Sequence, residues 1–215
     1  MSDPILQVND LSVSFSVEGR RHVAVDGVSF AINPGEILGL VGESGSGKSV
    51  SAMSTLRLVP CPPGNTETGE ILFQGRDLLK MPVDELRKIR GAEIGVIFQE
   101  PMTAMSPLHS VGRQLAETVR IHRPDTSKEE AWALAVEWLE KVGIPDPEER
   151  AKAYPFQFSG GMRQRAMIAM ALILEPRLII ADEPTTALDV TLQAQIFDLI
   201  LDMKSDDTAI LFITH

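Results

Sequence analysis

The chain has 215 residues, enough for a full hydrophobic core, and 44% of them are hydrophobic while 23% are charged. Its formal net charge of −10, without any block rich in lysine and arginine, argues against a nucleic-acid-binding protein, so we expect no nucleic-acid partner. A single cysteine, Cys61, excludes an internal disulfide, and the longest strongly apolar run, residues 166–174, is too short to span a bilayer.

The first elements of the chain are predicted to be strands. Residues 5–32 alternate between apolar and polar side chains around a turn near Gly19, which predicts antiparallel strands. The short apolar run at residues 36–41 is typical of a strand buried on both faces. A glycine-rich loop follows it and leads into a predicted helix that Pro60 ends.

This loop, GESGSGKS, fits the pattern G-x-x-x-x-G-K-[ST] of a phosphate-binding loop between a strand and a helix. Its backbone N–H groups would surround phosphate oxygens, Lys48 would neutralise the β- and γ-phosphates, and the Ser49 hydroxyl would bind Mg²⁺. A glycine-rich turn without a ligand is the alternative. The residues predicted to bind ATP here are Gly42, Glu43, Ser44, Gly45, Ser46, Gly47, Lys48 and Ser49.

Further buried strands are predicted at residues 92–99, 177–183 and 208–214, and their alternation with helices predicts a mostly parallel sheet in an α/β core. Residues 100–165 have a helical pattern, in which Ser127 and Glu130 form a predicted capping box and Gly143 ends the helix. We therefore expect a core from residues 1–99, including an N-terminal antiparallel β subdomain, a helical insertion at 100–165, and the second part of the core at 166–215.

The strand at residues 177–183 ends in two adjacent carboxylates, Asp182 and Glu183. Ligands of α/β sheets bind at the edge where the carboxyl ends of the strands lie. Asp182 would therefore hold Mg²⁺, directly or through water, and Glu183 would act as general base toward the attacking water. An acidic pair after a strand equally fits a solvated turn when it stands alone. The phosphate loop makes the catalytic interpretation the stronger one.

A second anion site is suggested by Ser159, Gly160 and Gly161, which open a predicted helix. Ser159 would cap the helix while the glycine N–H groups point outward, although a helix start selected for packing is the favoured alternative from these residues alone. The phosphate loop occupies the end of its own strand, so this second site would reach a nucleotide held by another copy of the protein. That predicts a dimer with ATP at its interface.

The order and spacing of these motifs, together with a glutamine after a strand, SGGMRQR, LIIADE, TTALD and a terminal TH, resemble the ATPases of ABC transporters. The segments VGESGSGKS, IFQEPMTAMSPLHSVGRQLAE, FSGGMRQRAMIAMAL and DEPTTALDVTLQAQI are similar to the peptide and nickel importer branch. The resemblance implies a RecA-like phosphate-loop NTPase fold of the α/β class, with an antiparallel β subdomain and a helical insertion. It also implies ATP hydrolysis that powers the import of dipeptides, oligopeptides or nickel.

The resemblance assigns further roles. Phe15 would stack on adenine, although an inward-facing strand residue is the alternative, and Gln99 would link Mg²⁺ and the lytic water to the helical insertion. His215 would contact the γ-phosphate, and Asp189 lies in the loop that contacts the partner subunit. The implied catalytic residues are Glu183, His215 and Gln99, the Mg²⁺ ligands are Ser49, Gln99 and Asp182, and Ser159, Gly160 and Gly161 act on the ATP of the partner.

The implied partners are ATP, a second ATPase subunit of the same or a different kind, integral membrane permease subunits and an extracytoplasmic substrate-binding protein. The protein would lie peripherally on the cytoplasmic face of the inner membrane. Two alternatives stay open: a soluble ABC-type ATPase acting in DNA repair or on ribosomes, and a nucleotide-dependent interaction module with impaired hydrolysis. Because family members continue past the histidine that matches His215, we expect a truncated chain that binds nucleotide and turns over slowly.

Overall fold

The computed structural model describes residues 3–184 and 190–214, which divide into two units. The first unit consists of three segments: the described residues up to Arg90, Arg177–Asp182, and the described residues from Asp206 onward. The second unit takes the described residues of Gly91–Pro176 and Glu183–Ser205. The predicted helical segment, residues 100–165, lies within the second unit.

Strands and helices alternate along most of the chain. In chain order they are β1 (Leu6–Val17), β2 (Arg20–Ile32), β3 (Ile37–Val41), α1 (Lys48–Ser54), β4 (Gly64–Phe73), β5 (Arg76–Asp77), α2 (Val83–Ile89), β6 (Ile94–Ile97), α3 (Pro101–Ala104), α4 (Val111–His122), α5 (Lys128–Lys141), α6 (Pro147–Lys152), α7 (Gly160–Leu172), β7 (Leu178–Asp182), α8 (Val190–Met203) and β8 (Ala209–Thr214). None of the helices in the described part of the chain combines the length and the apolar character needed to cross a membrane.

An antiparallel sheet in the first unit has the strand order β2–β1–β4–β5. Strand β1 pairs with β2 around a turn in which Gly19 has a φ of +75°, so the predicted antiparallel strands are confirmed. Apolar side chains of β1, such as Leu6 and Leu11, are fully buried, as the alternating pattern requires. Strand β1 also pairs with β4, which the sequence pattern had not indicated.

The parallel strands of the first unit lie in the order β3–β8–β7. Every residue of β7 is buried, as predicted for its continuous apolar run. The prediction that β3 is buried on both faces is wrong, because Ile37 and Val41 are exposed. Strand β3 is at one end of the sheet, where β8 is its only neighbour among the described strands. Since parallel strands end at a common edge, the loop after β3 and Asp182 at the end of β7 share that edge.

Helix α1 ends at Ser54, earlier than the predicted end at Pro60. Past this point Arg57 has a φ of +52°, which no helical residue adopts. The guanidinium of Arg90 donates to the carbonyl oxygen of Leu56 from Nε and Nη2, at 2.9 and 2.6 Å. The left-handed residue ends the helix, with the Leu58 N–H bonded back to the Met53 carbonyl oxygen at 3.0 Å, and Arg90 stabilises this end by bonding a carbonyl that has no helical partner.

The second unit contains the helices α4 to α7. The predicted capping box at the start of α5 is confirmed: the Glu130 N–H donates to Ser127 Oγ at 3.1 Å, and the Ser127 N–H donates to Glu130 Oε2 at 2.9 Å. Gly143, with a φ of +74°, follows the end of α5, as predicted. Trp138 is 3% exposed and packs in the interior of this unit.

Candidate functional site

The loop between β3 and α1 has a backbone that requires glycine at Gly47. This residue caps α1 with a φ of +90°, and a side chain there would collide with the carbonyl oxygen of Ala24. Gly45 also has a positive φ, of +79°. The loop therefore keeps its backbone free of covering side chains at these points, which is what close approach of phosphate oxygens needs.

Lys48 follows this loop and is only 7% exposed. Its Nζ donates to the carbonyl oxygens of Gly42, at 2.6 Å, and Glu43, at 2.9 Å. The side chain thus turns back across the loop, and the loop encloses a single positive charge in a desolvated position. A charge in this setting interacts with an anion more strongly than it would in water.

Ser49 and Asp182 are brought together although 133 residues separate them in the sequence, because one begins α1 and the other ends β7. Ser49 Oγ donates to Asp182 Oδ1 at 2.7 Å, and Asp182 is 7% exposed. In the described residues, this pair included, no group of three or more His, Cys, Asp or Glu is placed to hold a metal. A hydroxyl beside one carboxylate fits Mg²⁺, which binds through one or two carboxylates together with substrate phosphates.

In the second unit, Gln99 Nε2 donates to Glu183 Oε2 at 2.9 Å. Glu183 is 7% exposed, and its φ of +45° lies in the left-handed region. A non-glycine residue held there costs about 1–3 kcal/mol, and such residues concentrate at functional sites. The structure therefore places the predicted base in a fixed, strained turn with its carboxylate oriented by an amide.

The predicted second anion site is the N-terminus of α7. Ser159 caps this helix, because its Oγ accepts from the Met162 N–H at 3.3 Å, as predicted. Apart from the adjacent residues and the backbone of α7 itself, no atom of the described chain lies within 4 Å of the position that a side chain would take at Gly160 or Gly161. Packing within this part of the chain therefore does not require glycine at either position, and the packing interpretation loses its main support.

Gln164, in α7, is a residue that the sequence analysis missed. It is 3% exposed, and its side-chain amide donates to the carbonyl oxygen of Pro184, the residue after Glu183. Helix α7 is thereby bonded to the segment that carries the predicted base. Gln164 stands between Arg163 and Arg165, so the sequence offered no local signal that distinguishes it from a solvated position.

The other predicted site residues are Phe15, Asp189 and His215. Phe15 is half-buried in β1 and pairs with His22 on β2 and with Gly64 on β4. Asp189 and His215 lie outside the residues that the structure describes.

A family model described as ABC transporter matches residues 25–186. The oligopeptide transport ATP-binding protein OppD of Bacillus subtilis is 53% identical over 212 residues, which cover 98% of this chain and 59% of that protein. The peptidoglycan transport ATP-binding protein YejF of Agrobacterium fabrum is 54% identical over 215 residues, which cover 100% of this chain and 39% of that protein. This chain therefore spans less than two thirds of the length of either relative.

Among solved structures, the dimeric ATP-binding cassette MJ0796 bound to ADP and phosphate is similar to this chain, with a TM-score of 0.83 and 29% identity. The match covers 98% of this chain and 88% of that one.

Proposed function

Because this chain belongs to the ABC transporter family, we propose that it binds and hydrolyses Mg-ATP and that this reaction powers the import of peptides across a membrane. The observation that carries the proposal is the 2.7 Å hydrogen bond between Ser49 and Asp182. It joins the hydroxyl at the end of the phosphate loop to a nearly buried carboxylate, an arrangement that a solvated turn does not need.

ATP would bind to the loop of residues 42–49. Lys48, which donates to two loop carbonyls, would exchange them for oxygens of the β- and γ-phosphates, because a charged donor bonds more strongly to a charged acceptor. Ser49 and Asp182 would hold Mg²⁺, which when bound neutralises phosphate charge. The loop N–H groups would share the remaining phosphate oxygens.

Glu183 would act as the general base in hydrolysis. Its carboxylate accepts a proton from water while the water oxygen attacks the γ-phosphorus. The bond from this phosphorus to the oxygen bridging to the β-phosphate breaks, and the products are ADP and inorganic phosphate. Gln99 would orient the carboxylate through the bond to Oε2, and the left-handed turn at Glu183 would keep it in place.

Two ATPase subunits, identical or different, would form the active dimer. The N–H groups of Gly160 and Gly161 at the start of α7, with Ser159 as cap, would donate to the γ-phosphate bound by the partner. The unobstructed space at both glycines supports this role, and the similar cassette MJ0796 is dimeric with ADP and phosphate bound.

The transport role rests on relatives that are named for oligopeptide and peptidoglycan transport. Under this proposal the chain works with integral membrane permease subunits and an extracytoplasmic substrate-binding protein. It would lie peripherally on the cytoplasmic face of the membrane. The cargo class we propose is peptides.

Three proteins test the proposal: the unaltered chain, Lys48→Ala and Glu183→Gln. We expect steady-state hydrolysis of Mg-ATP by the unaltered chain and loss of ATP binding in Lys48→Ala. Glu183→Gln should keep ATP binding, lose about 10²-fold or more of its turnover, and form a dimer with saturating Mg-ATP. Glu140→Gln, the same substitution at an exposed position, is the matched control.

Normal turnover of ATP by Glu183→Gln would contradict the proposal that Glu183 is the general base. A Glu183→Gln protein that stays monomeric with Mg-ATP would contradict the dimer. ATP binding without any hydrolysis by the unaltered chain would favour the nucleotide-dependent interaction module.

A further inference from the structure

On one of its two neighbouring strands, Phe15 lies opposite a glycine, which has no side chain. It lies directly opposite Gly64 on β4 and opposite the exposed His22 on β2. Residues that lie opposite one another on paired strands project from the same face of a sheet. The space next to the Phe15 ring on the β4 side is therefore controlled by Gly64, which is itself buried.

A methyl group on Gly64 would not fit without displacing something. It would lie 2.7 Å from Val59 Cγ1, 2.8 Å from the carbonyl oxygen of Pro60 and 3.2 Å from Phe15 Cε1. The two shorter distances are below carbon and oxygen contact distances, and the third requires the ring to yield. Gly64 does not have a positive φ, so the constraint at this position is space and not backbone conformation.

The turn between Pro60 and Gly64 is bonded in place on both sides. The Gly64 N–H donates to the Pro60 carbonyl oxygen at 2.8 Å, which holds this oxygen against the glycine. The Ser16 N–H donates to the Pro63 carbonyl oxygen at 2.9 Å, which ties the turn to the residue after Phe15. Since these bonds hold the Pro60 carbonyl in place, an added methyl group at Gly64 has to be accommodated by the side chains of Val59 and Phe15.

We propose that Gly64 is a positioning residue for the adenine base of ATP. Its missing side chain lets the Phe15 ring lie where it can stack on the base, and any added atom displaces the ring from that position. The inference rests on the proposed function, because it requires that ATP binds with its base on Phe15. Stacking depends on the overlap of two planes, so a small shift of the ring weakens base binding and leaves phosphate binding intact.

The test compares ATP with inorganic tripolyphosphate, which has the phosphates and lacks the base. Binding of each to the full chain is measured by calorimetry with Mg²⁺ at one concentration. In Gly64→Ala we expect the dissociation constant for ATP to rise about threefold or more, and in Phe15→Ala about fivefold or more. Tripolyphosphate should bind both variants as it binds the unaltered chain.

The matched control is Gly39→Ala in β3 of the same unit, where no atom of the described residues lies within 4 Å of the added methyl group. It should leave both dissociation constants unchanged. The double variant Phe15→Ala/Gly64→Ala completes a double-mutant cycle. Because Gly64 acts through the ring, adding Gly64→Ala to Phe15→Ala should weaken ATP binding no further.

Unchanged ATP binding in Gly64→Ala would overturn the inference, and so would an equal loss of ATP and tripolyphosphate binding. Independent, additive losses in the double variant would also overturn it. If Gly64→Ala does not fold, Val59→Ala/Gly64→Ala, which removes the 2.7 Å contact, takes its place with the same expectations. Failure of the proposed function is distinct, because then the unaltered chain itself does not bind ATP.

Discussion

Replacing Gln164 by methionine removes a buried hydrogen-bond donor while keeping nearly the length and volume of the side chain. In the structure the Gln164 amide donates to the carbonyl oxygen of Pro184, and the side chain is 3% exposed. Water therefore cannot replace the lost donor without a rearrangement of α7. The substitution tests how firmly this helix secures the segment that begins with Glu183.

The expected cost follows from the burial of this hydrogen bond. A hydrogen bond contributes about 0.5–1.5 kcal/mol, and leaving a buried acceptor unsatisfied raises the loss to about 1–3 kcal/mol. For a chain of this size, each kcal/mol shifts the melting temperature by about 2–4 °C. We therefore expect Gln164→Met to lower the melting temperature by about 2–12 °C.

Thermal and urea unfolding followed by circular dichroism measure this loss. Gln195→Met, the same substitution at an exposed position of α8, is the control and should change the free energy of unfolding by less than about 0.5 kcal/mol. Equal stability of the two variants would refute the reasoning, since the buried bond would then contribute nothing beyond the change of side chain.

Two further predictions concern other parts of the chain. Ser127→Ala removes half of the capping box of α5 and should lower the free energy of unfolding by about 0.5–2 kcal/mol, as urea titration would show; no change would mean that the box is dispensable. Hydrogen bonds from Arg21 and Ser14 lower the pKa of Glu67 from 4.5 to about 2, so the stability it contributes is complete above about pH 4.5 and is lost as the pH falls through about 2. Glu67→Gln should therefore reduce the acid sensitivity of unfolding in that window, and an unaltered pH dependence would contradict this account.

Much of the fold was predictable because local patterns reported it. The alternation in residues 5–32, the buried run at β7 and the Ser127–Glu130 box each depend on neighbouring residues, and each is confirmed. The predicted resemblance to peptide-transport ATPases of the ABC family and the predicted α/β fold class are confirmed as well. The loop between β3 and α1 was predictable for the same reason, since its glycines and Lys48 lie within eight successive residues, and its binding of phosphate stays a prediction.

What the sequence did not reveal depends on contacts between distant residues. The end of helix α1 is stabilised by Arg90, which donates to the carbonyl of Leu56, and no local signal at Leu56 indicates this. The role of Gln164 requires the position of Pro184, and the exposure of β3 follows from its place at the end of the sheet. The roles of Asp189 and His215 stay predictions, because both residues lie outside the described part of the chain.

The position of β8 between β3 and β7 has a consequence for synthesis on the ribosome. Ile37 pairs with Ile210, so β3 cannot pair with β8 until residues 209–214 have been translated. Until then the edges of β3 and β7 that pair with β8 carry unpaired backbone N–H and C=O groups, and closing so long a loop is slow. A nascent chain that has not yet exposed residues 209–214 should therefore be sensitive to proteases and dependent on chaperones, and it should lose both properties once that strand emerges.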